Sequence, residues 1–200
     1  TSEGTKMGNC LGAKLHPDEE ALRSGRAHIL HKVGSENIWI TGAPGLKNKS
    51  EFKKRGITHV LNMIGEGIFD AEWMGGKSNS YWPNEFTYKI VSTNDSPDQS
   101  LLGMFKETSK FIEEGAAAGG VCVNCYVGRS RSVTAVAAFL IDHRGMTTDD
   151  ALQLIKKTRH EAKPNDGFMG QLQQYEVQQK RHINWLQSQA GGHAPLPPGV

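Results

Sequence analysis

The sequence predicts an α/β layer fold on three observations. Short β-prone runs alternate with helical patterns, one of those patterns is apolar nearly all round, and 200 residues suit a single core. A chain of this size buries roughly 70% of the surface its unfolded form exposes, so it needs no disulfide or metal staple. Lys and Arg number 23 against 21 Asp and Glu, a balance that excludes a dedicated nucleic-acid binder and names no partner. No apolar run approaches the ~18 residues of a membrane-spanning helix, and no secretion signal is recognisable. The three cysteines are an odd number, and no CxxC spacing repeats or pairs with a HxxxH; neither a metal nor another cofactor is expected, and a reducing cytoplasm fits.

The elements follow in chain order. Residues 1–36 are polar without sustained periodicity and are expected to form a flexible N-terminal arm, with Pro17–Arg23 able to form a turn or two of helix. Residues 1–6 read as a cloning remainder before a natural start at Met7. Gly8 and Cys10 are then candidates for myristate and palmitate, since one chain alone binds a bilayer only marginally; the alternative is an unstructured leader. Residues 38–41 are β-prone, 49–55 read as a short helix ended by Gly56, and 58–64 as a mostly apolar strand. Residues 65–85 are rich in Gly, Ser and Asn but carry Trp73, Tyr81 and Trp82, which suits a binding loop.

Residues 86–91 read as another strand, and Leu101, Leu102, Phe105 and Ile112 mark a helix that stops at Gly115. A strand at 121–124 precedes the helix at 133–144, whose apolar residues surround the axis as a buried helix requires, with Gly145 as its stop. Thr147 and Asp150 suggest a cap for an amphipathic helix through Ala151, Leu154 and Ile155. The last helix carries Phe168, Leu172, Tyr175, Ile183 and Leu186 on one side. The folded domain is thus expected over 37–188 and a disordered tail over 189–200.

Between the last strand and the buried helix stands Cys125-Tyr126-Val127-Gly128-Arg129-Ser130-Arg131-Ser132. A tight loop closing on a helix N-terminus converges its amide N–H groups on one point, where the helix dipole adds about half a positive charge. Arg131 supplies a two-pronged clamp for phosphate oxygens. A cysteine in such a field loses its proton readily and becomes a nucleophile. Gly128 lets the backbone turn. Cys122 reads as a small buried core residue, its alternative being a disulfide partner for Cys125, and the eight histidines show no metal-ligand pattern.

Cys-x5-Arg-Ser resembles the signature of the cysteine-based protein phosphatases, and Cys-x-x-Gly-x-Ser-Arg-Ser its dual-specificity form. The likeness runs from about Ile38 to Leu186. The segments Asn94-Asp95-Ser96-Pro97-Asp98 and Pro164-Asn165-Asp166-Gly167-Phe168 are most similar to those of the small atypical phosphatases of the myristoylated JNK-pathway type. The resemblance implies a cysteine-phosphatase fold with a central mixed sheet of about five strands flanked by helices. It implies hydrolysis of phosphotyrosine and phosphoserine or phosphothreonine in proteins through a phosphocysteine on Cys125, without a metal. Residues 126–131 would hold the phosphate. Asp95 is the candidate proton donor, Asp98 its competitor, and a helix-capping Asp the bland alternative. Ser132 would stabilise the departing thiolate, or cap the helix; Ser130 would support the loop.

One departure is Asn124, where the family has His directly before the nucleophile. An Asn amide can donate to loop carbonyls but carries no charge, so the thiolate is expected to form at higher pH. Asp95 also precedes Cys125 by one position fewer than the family pattern, which a shortened turn near 115–120 absorbs. Two alternatives accompany the protein-phosphatase reading: a phosphatase of phospholipids or other non-protein esters, and a pseudophosphatase that binds phosphorylated partners. The expected partner is a phosphorylated protein, a signalling kinase among the candidates. Nucleic acid is not expected, a membrane only through N-terminal acylation, and a monomer is expected.

Overall fold

The computed structural model describes residues 17–64 and 81–190. Strands β1 (His31–Lys32), β2 (Ile38–Gly42), β3 (His59–Asn62), β4 (Thr87–Ile90) and β5 (Val121–Cys125) form one sheet in the order β1-β2-β5-β3-β4. β1 pairs antiparallel with β2, and the other neighbours run parallel, which makes the sheet mixed. The helices are α1 (Pro17–Arg23), α2 (Lys49–Lys54), α3 (Phe105–Ala117), α4 (Arg131–Arg144), α5 (Thr148–Lys156) and α6 (Asp166–Ala190).

β5 lies in the middle of the sheet and all five of its residues are buried, as in a parallel strand covered on both faces. Its side chains alternate between two cores. Val121, Val123 and Cys125 join Ile38, Ile40, Leu61, Phe139 and Phe168 on the face that carries α4. Cys122 joins Trp39, Phe52, Val60 and Phe86 on the face that carries α2. Cys122 and Cys125 therefore sit on opposite sides of the sheet, with Cβ directions that no disulfide can join.

Local chemistry explains the helix ends. Asn48 caps α2 by accepting from the Glu51 amide at 3.2 Å. α4 is buried over its first eleven residues and stops at Gly145, whose φ of 64° is left-handed. Thr147 caps α5, its hydroxyl accepting from the Asp150 amide at 3.1 Å and donating to the Asp150 carboxylate at 2.7 Å.

Two expectations require correction. The flexible arm assigned to residues 1–36 is folded from Pro17 onward: α1 forms, β1 extends the sheet, and Ala21, Ala27, Leu30 and Val33 are buried. Those apolar residues are too sparse to show a period, yet each lands on the body of the domain. On the last helix, Phe168, Leu172 and Tyr175 are buried, but Ile183 and Leu186 are 43% and 48% exposed. The 25-residue α6 continues past them to Ala190, beyond the start expected for the tail at 189. Residues 65–80 of the expected binding loop lie outside the described residues, as do Gly8, Cys10 and residues 191–200. The end of that loop is anchored to α2, where Lys49 sits over the Trp82 ring and both Lys49 and Lys53 pair with Glu85.

Packing of the N-terminal segment is open to direct measurement. Val33 is 1% exposed within the main core, so Val33→Ala is expected to cost about 2 kcal/mol of unfolding free energy from lost burial and the cavity left behind. Urea denaturation measures this, and an unchanged midpoint would mean that the segment does not pack.

Candidate active site

β5 ends at Cys125 on the carboxyl edge of the sheet, where parallel sheets place their ligands. The next five residues curl into α4, and every carbonyl among them is held from outside the curl. Tyr126 O accepts from the Ala43 amide at 3.0 Å, and Arg129 O from the Lys163 amide at 2.8 Å. Val127 O and Gly128 O accept from Arg159 Nη2 and Nε at 2.6 and 2.5 Å. Ser130 O accepts from the Thr134 amide and hydroxyl at 2.8 and 2.9 Å.

Across a planar trans peptide the C=O and the next N–H point in opposite directions. Carbonyls drawn outward therefore turn the amides inward, and those of Val127, Gly128, Arg129 and Ser130 make no hydrogen bond among the described residues. The result is a cup of converging donors at the N-terminus of a 14-residue helix, an arrangement suited to an oxyanion. Gly128 makes the curl possible: its φ is +76°, and a Cβ there would lie 2.6 Å from Thr41 O and 2.7 Å from Arg159 Nη2.

Cys125 is 1% exposed, with Sγ 3.3 Å from the Ser132 hydroxyl. Burial alone pushes its thiol pKa up. The Arg131 charge and hydrogen bonds from the Ser132 hydroxyl and amide outweigh burial, and the net shift is downward. Cys122, equally buried without such company, is pushed far up and stays a thiol.

The Arg131 guanidinium is almost fully buried. Its Nη1 donates to Thr93 O at 2.7 Å and to Met63 O at 3.2 Å, which fixes the plane of the fork. Its Nε donates no hydrogen bond and stands 3.7 Å from Asp95 Oδ2. Asp95, one-third exposed at the rim, accepts through Oδ1 from the Ser130 hydroxyl at 2.7 Å and from Asn165 Nδ2 at 2.9 Å.

The fold thus gathers Cys125, Arg131, Ser132, Ser130 and Asp95 at one point. Asp98 is not among them; its exposed turn closes on itself through the Ser96 hydroxyl at 3.4 Å. Asn124 departs from its expected contact. Its Nδ2 donates to Asn62 Oδ1 at 2.9 Å across the β3–β5 pair rather than to the loop carbonyls, because its side chain points to the sheet face opposite Cys125. Arg159 and Asn165 were not foreseen as site residues. Nothing in Thr158-Arg159-His160 separates a buried arginine from a surface one, whereas the Pro164-Asn165-Asp166-Gly167-Phe168 segment carries a family likeness without revealing its contact to Asp95. Among the described residues no group of three or more His, Cys, Asp or Glu is placed to hold a metal.

The family model described as the dual specificity phosphatase, catalytic domain, matches residues 38–178. The chain belongs to this family. It is 34% identical over 142 residues to dual specificity protein phosphatase 1B of Arabidopsis thaliana, covering 70% of this chain and 78% of that relative. It is 36% identical over 126 residues to dual specificity protein phosphatase 19 of Mus musculus, covering 62% and 52%. The crystal structure of human DUSP28 superposes with a TM-score of 0.66 at 27% identity, covering 76% of this chain and 95% of that one. This dual-specificity protein phosphatase is an enzyme of the cysteine-based tyrosine phosphatase superfamily, in its small atypical group.

Arg159 carries a testable consequence for the dual-specificity phosphatase site. Arg159→Met frees two loop carbonyls, and kcat toward an aryl phosphate is expected to fall on the order of tenfold to a hundredfold. The pH midpoint of Cys125 alkylation is expected to rise as the cup loosens, with partial rescue by Arg159→Lys. Wild-type values for both quantities in Arg159→Met would show that the loop holds its shape unaided.

Proposed function

We propose that Cys125 is the nucleophile of a two-step hydrolysis of phosphotyrosine and phosphoserine or phosphothreonine in proteins. The Cys125 thiolate attacks phosphorus while the ester P–O bond breaks, and Asp95 hands its proton to the leaving phenoxide or alkoxide. Asp95 then takes a proton from water as that water attacks the phosphocysteine. The S–P bond breaks, phosphate leaves, and the Ser132 hydroxyl stabilises the departing sulfur anion. The amides of the loop from Tyr126 through Ser130 and the Arg131 fork hold the phosphoryl oxygens in both steps.

The observation that carries this reading is the Ser130–Asp95 hydrogen bond at 2.7 Å, which ties the acid to the rim of the loop that contains the nucleophile. Retention of Cys125, Arg131 and Asp95 in one cup disfavours the pseudophosphatase reading, and the protein-phosphatase relatives disfavour a phospholipid substrate. For the substrate we propose a phosphorylated signalling kinase. Support comes from the 35% identity over 141 residues to MAP kinase phosphatase with leucine-rich repeats protein 3 of Dictyostelium discoideum, of which this chain covers 15%. Acylation at Gly8 and Cys10 is the proposed route to the inner face of a membrane, supported by their sequence context alone.

Turnover of para-nitrophenyl phosphate, abolished in Cys125→Ser, tests the nucleophile. Asp95→Asn is expected to slow a phosphopeptide on the order of a hundredfold and the activated aryl ester much less. Equal losses on both substrates would assign Asp95 to structure instead.

The lowered Cys125 pKa sets the acid side of the pH profile: thiolate and activity persist above it and fade as pH drops through it. Asn124→His puts an ionisable ring one residue before Cys125 but on the opposite face of the sheet, and its charged form is expected to move the iodoacetamide midpoint of Cys125 down by a few tenths of a unit. An identical midpoint would mean that position 124 acts only through its bond to Asn62.

A further inference from the structure

Arg129, the fourth residue of the loop after Cys125, takes its ion-pair partner from the start of the described chain. Its Nε stands 3.6 Å from Asp18 Oδ1, with the two side chains 25% and 32% exposed. Apolar contact seats α1 on the outer side of the loop: Ala21 and Ala27 pack with Val127, with Leu22 and Tyr126 against them. The docked helix thereby delivers a carboxylate to a loop cation.

A cavity of about 330 Å³ opens at this place, lined among others by Asp18, Asp95, Arg129, Lys163, Asn165 and Asp166. Asp95 in that lining locates the cavity on the leaving-group side, because a proton donor must reach the leaving oxygen. The leaving group of a protein substrate is the polypeptide itself. Residues flanking the phosphorylated one must therefore pass along this cavity.

We infer that Asp18 is a specificity-determining residue: by neutralising Arg129 it removes the attraction that the mouth would otherwise exert on acidic flanking residues. The inference rests on the phosphatase reading above and concerns its substrate class, phosphopeptides whose neighbouring residues are neutral or basic. Charge at the rim supports it. Removing the Asp18 charge makes the lining around Arg129 and Lys163 one unit more positive, and an acidic peptide gains a favourable partner.

The test uses phosphotyrosine peptides of equal length with Glu, Ala or Lys on both sides, and para-nitrophenyl phosphate in parallel. Asp18→Asn is expected to raise the ratio of kcat/KM for the Glu-flanked over the Lys-flanked peptide by about three- to fivefold, the size of a partly exposed ion pair. The aryl phosphate, which has no flanking residues, is hydrolysed at the wild-type rate. In an Arg129→Ala background the Asp18 substitution shifts nothing. Glu19→Gln, in the same exposed helical turn, leaves the ratio alone and controls for loosening of α1. An unchanged ratio in Asp18→Asn, or the same shift with Arg129 absent or in Glu19→Gln, overturns the inference while leaving the chemistry intact. Failure of the wild type to turn over para-nitrophenyl phosphate overturns the phosphatase reading first.

Discussion

Everything at the site depends on five consecutive carbonyls being pulled away from the point on which the loop amides converge. A peptide loop left to itself presents donors and acceptors in equal number, and the two cancel. Here Ala43, Arg159, Lys163 and Thr134 occupy every carbonyl from Tyr126 to Ser130, so the loop interior is left with donors. The asymmetry is made by the fold, not by the loop sequence. Two of the five carbonyls are held by one guanidinium with no exposed surface, and Glu161, 3.5 Å from it, offsets the cost of burying that charge.

A neighbouring charge and two hydrogen bonds set the direction in which the Cys125 pKa moves. Two cysteines three residues apart on one strand are both buried, and burial alone raises both pKa values. Cys122 looks into an apolar layer and remains a thiol. Cys125 emerges at the strand end beside Arg131 and Ser132, where the charge and hydrogen bonds reverse the sign of the shift. The reversal requires no imidazolium in position 124, where an uncharged Asn pairs with Asn62 on the other side of the sheet. In this chain the Arg131 charge and the Ser132 hydrogen bonds lower the Cys125 pKa without a charge at position 124.

The sequence made some of these features legible and hid others, for physical reasons. The strand–loop–helix unit was readable because its parts are contiguous: β5, the Cys-x5-Arg spacing, and an apolar α4 closed by Gly145. Asp95 was readable through the family likeness, since no local pattern separates it from Asp98. Arg159 was not readable, because its role depends on a long-range approach of the turn after α5 to the loop after β5. The fold of residues 17–36 is hidden in the sequence for a related reason. Ala27, Leu30 and Val33 show no helical or alternating period, and a two-residue strand leaves no pattern to detect, yet the sheet and α4 supply the surfaces they bury against.

The setting of Asp95, the proposed proton donor, shows why these distant pieces must arrive together. Asp95 sits on the segment that follows β4, Ser130 on the loop after β5, and Asn165 just before α6. Asn165 holds Asp95 through its amide nitrogen, while its amide oxygen accepts from the Phe168 N–H at 2.9 Å and so caps α6. Its backbone N–H donates to the same Ser130 hydroxyl that donates to Asp95. The helix start, the loop and the acid are thus coupled through one asparagine and one serine. The buried Phe168, Leu172 and Tyr175 hold α6 against the core, and that packing fixes where the rim carboxylate stands. A change in how α6 seats would thus move Asp95 relative to Arg131 before it altered the loop, which ties Asp95 to the loop after Cys125 more tightly than the 30-residue separation of Asp95 and Cys125 suggests.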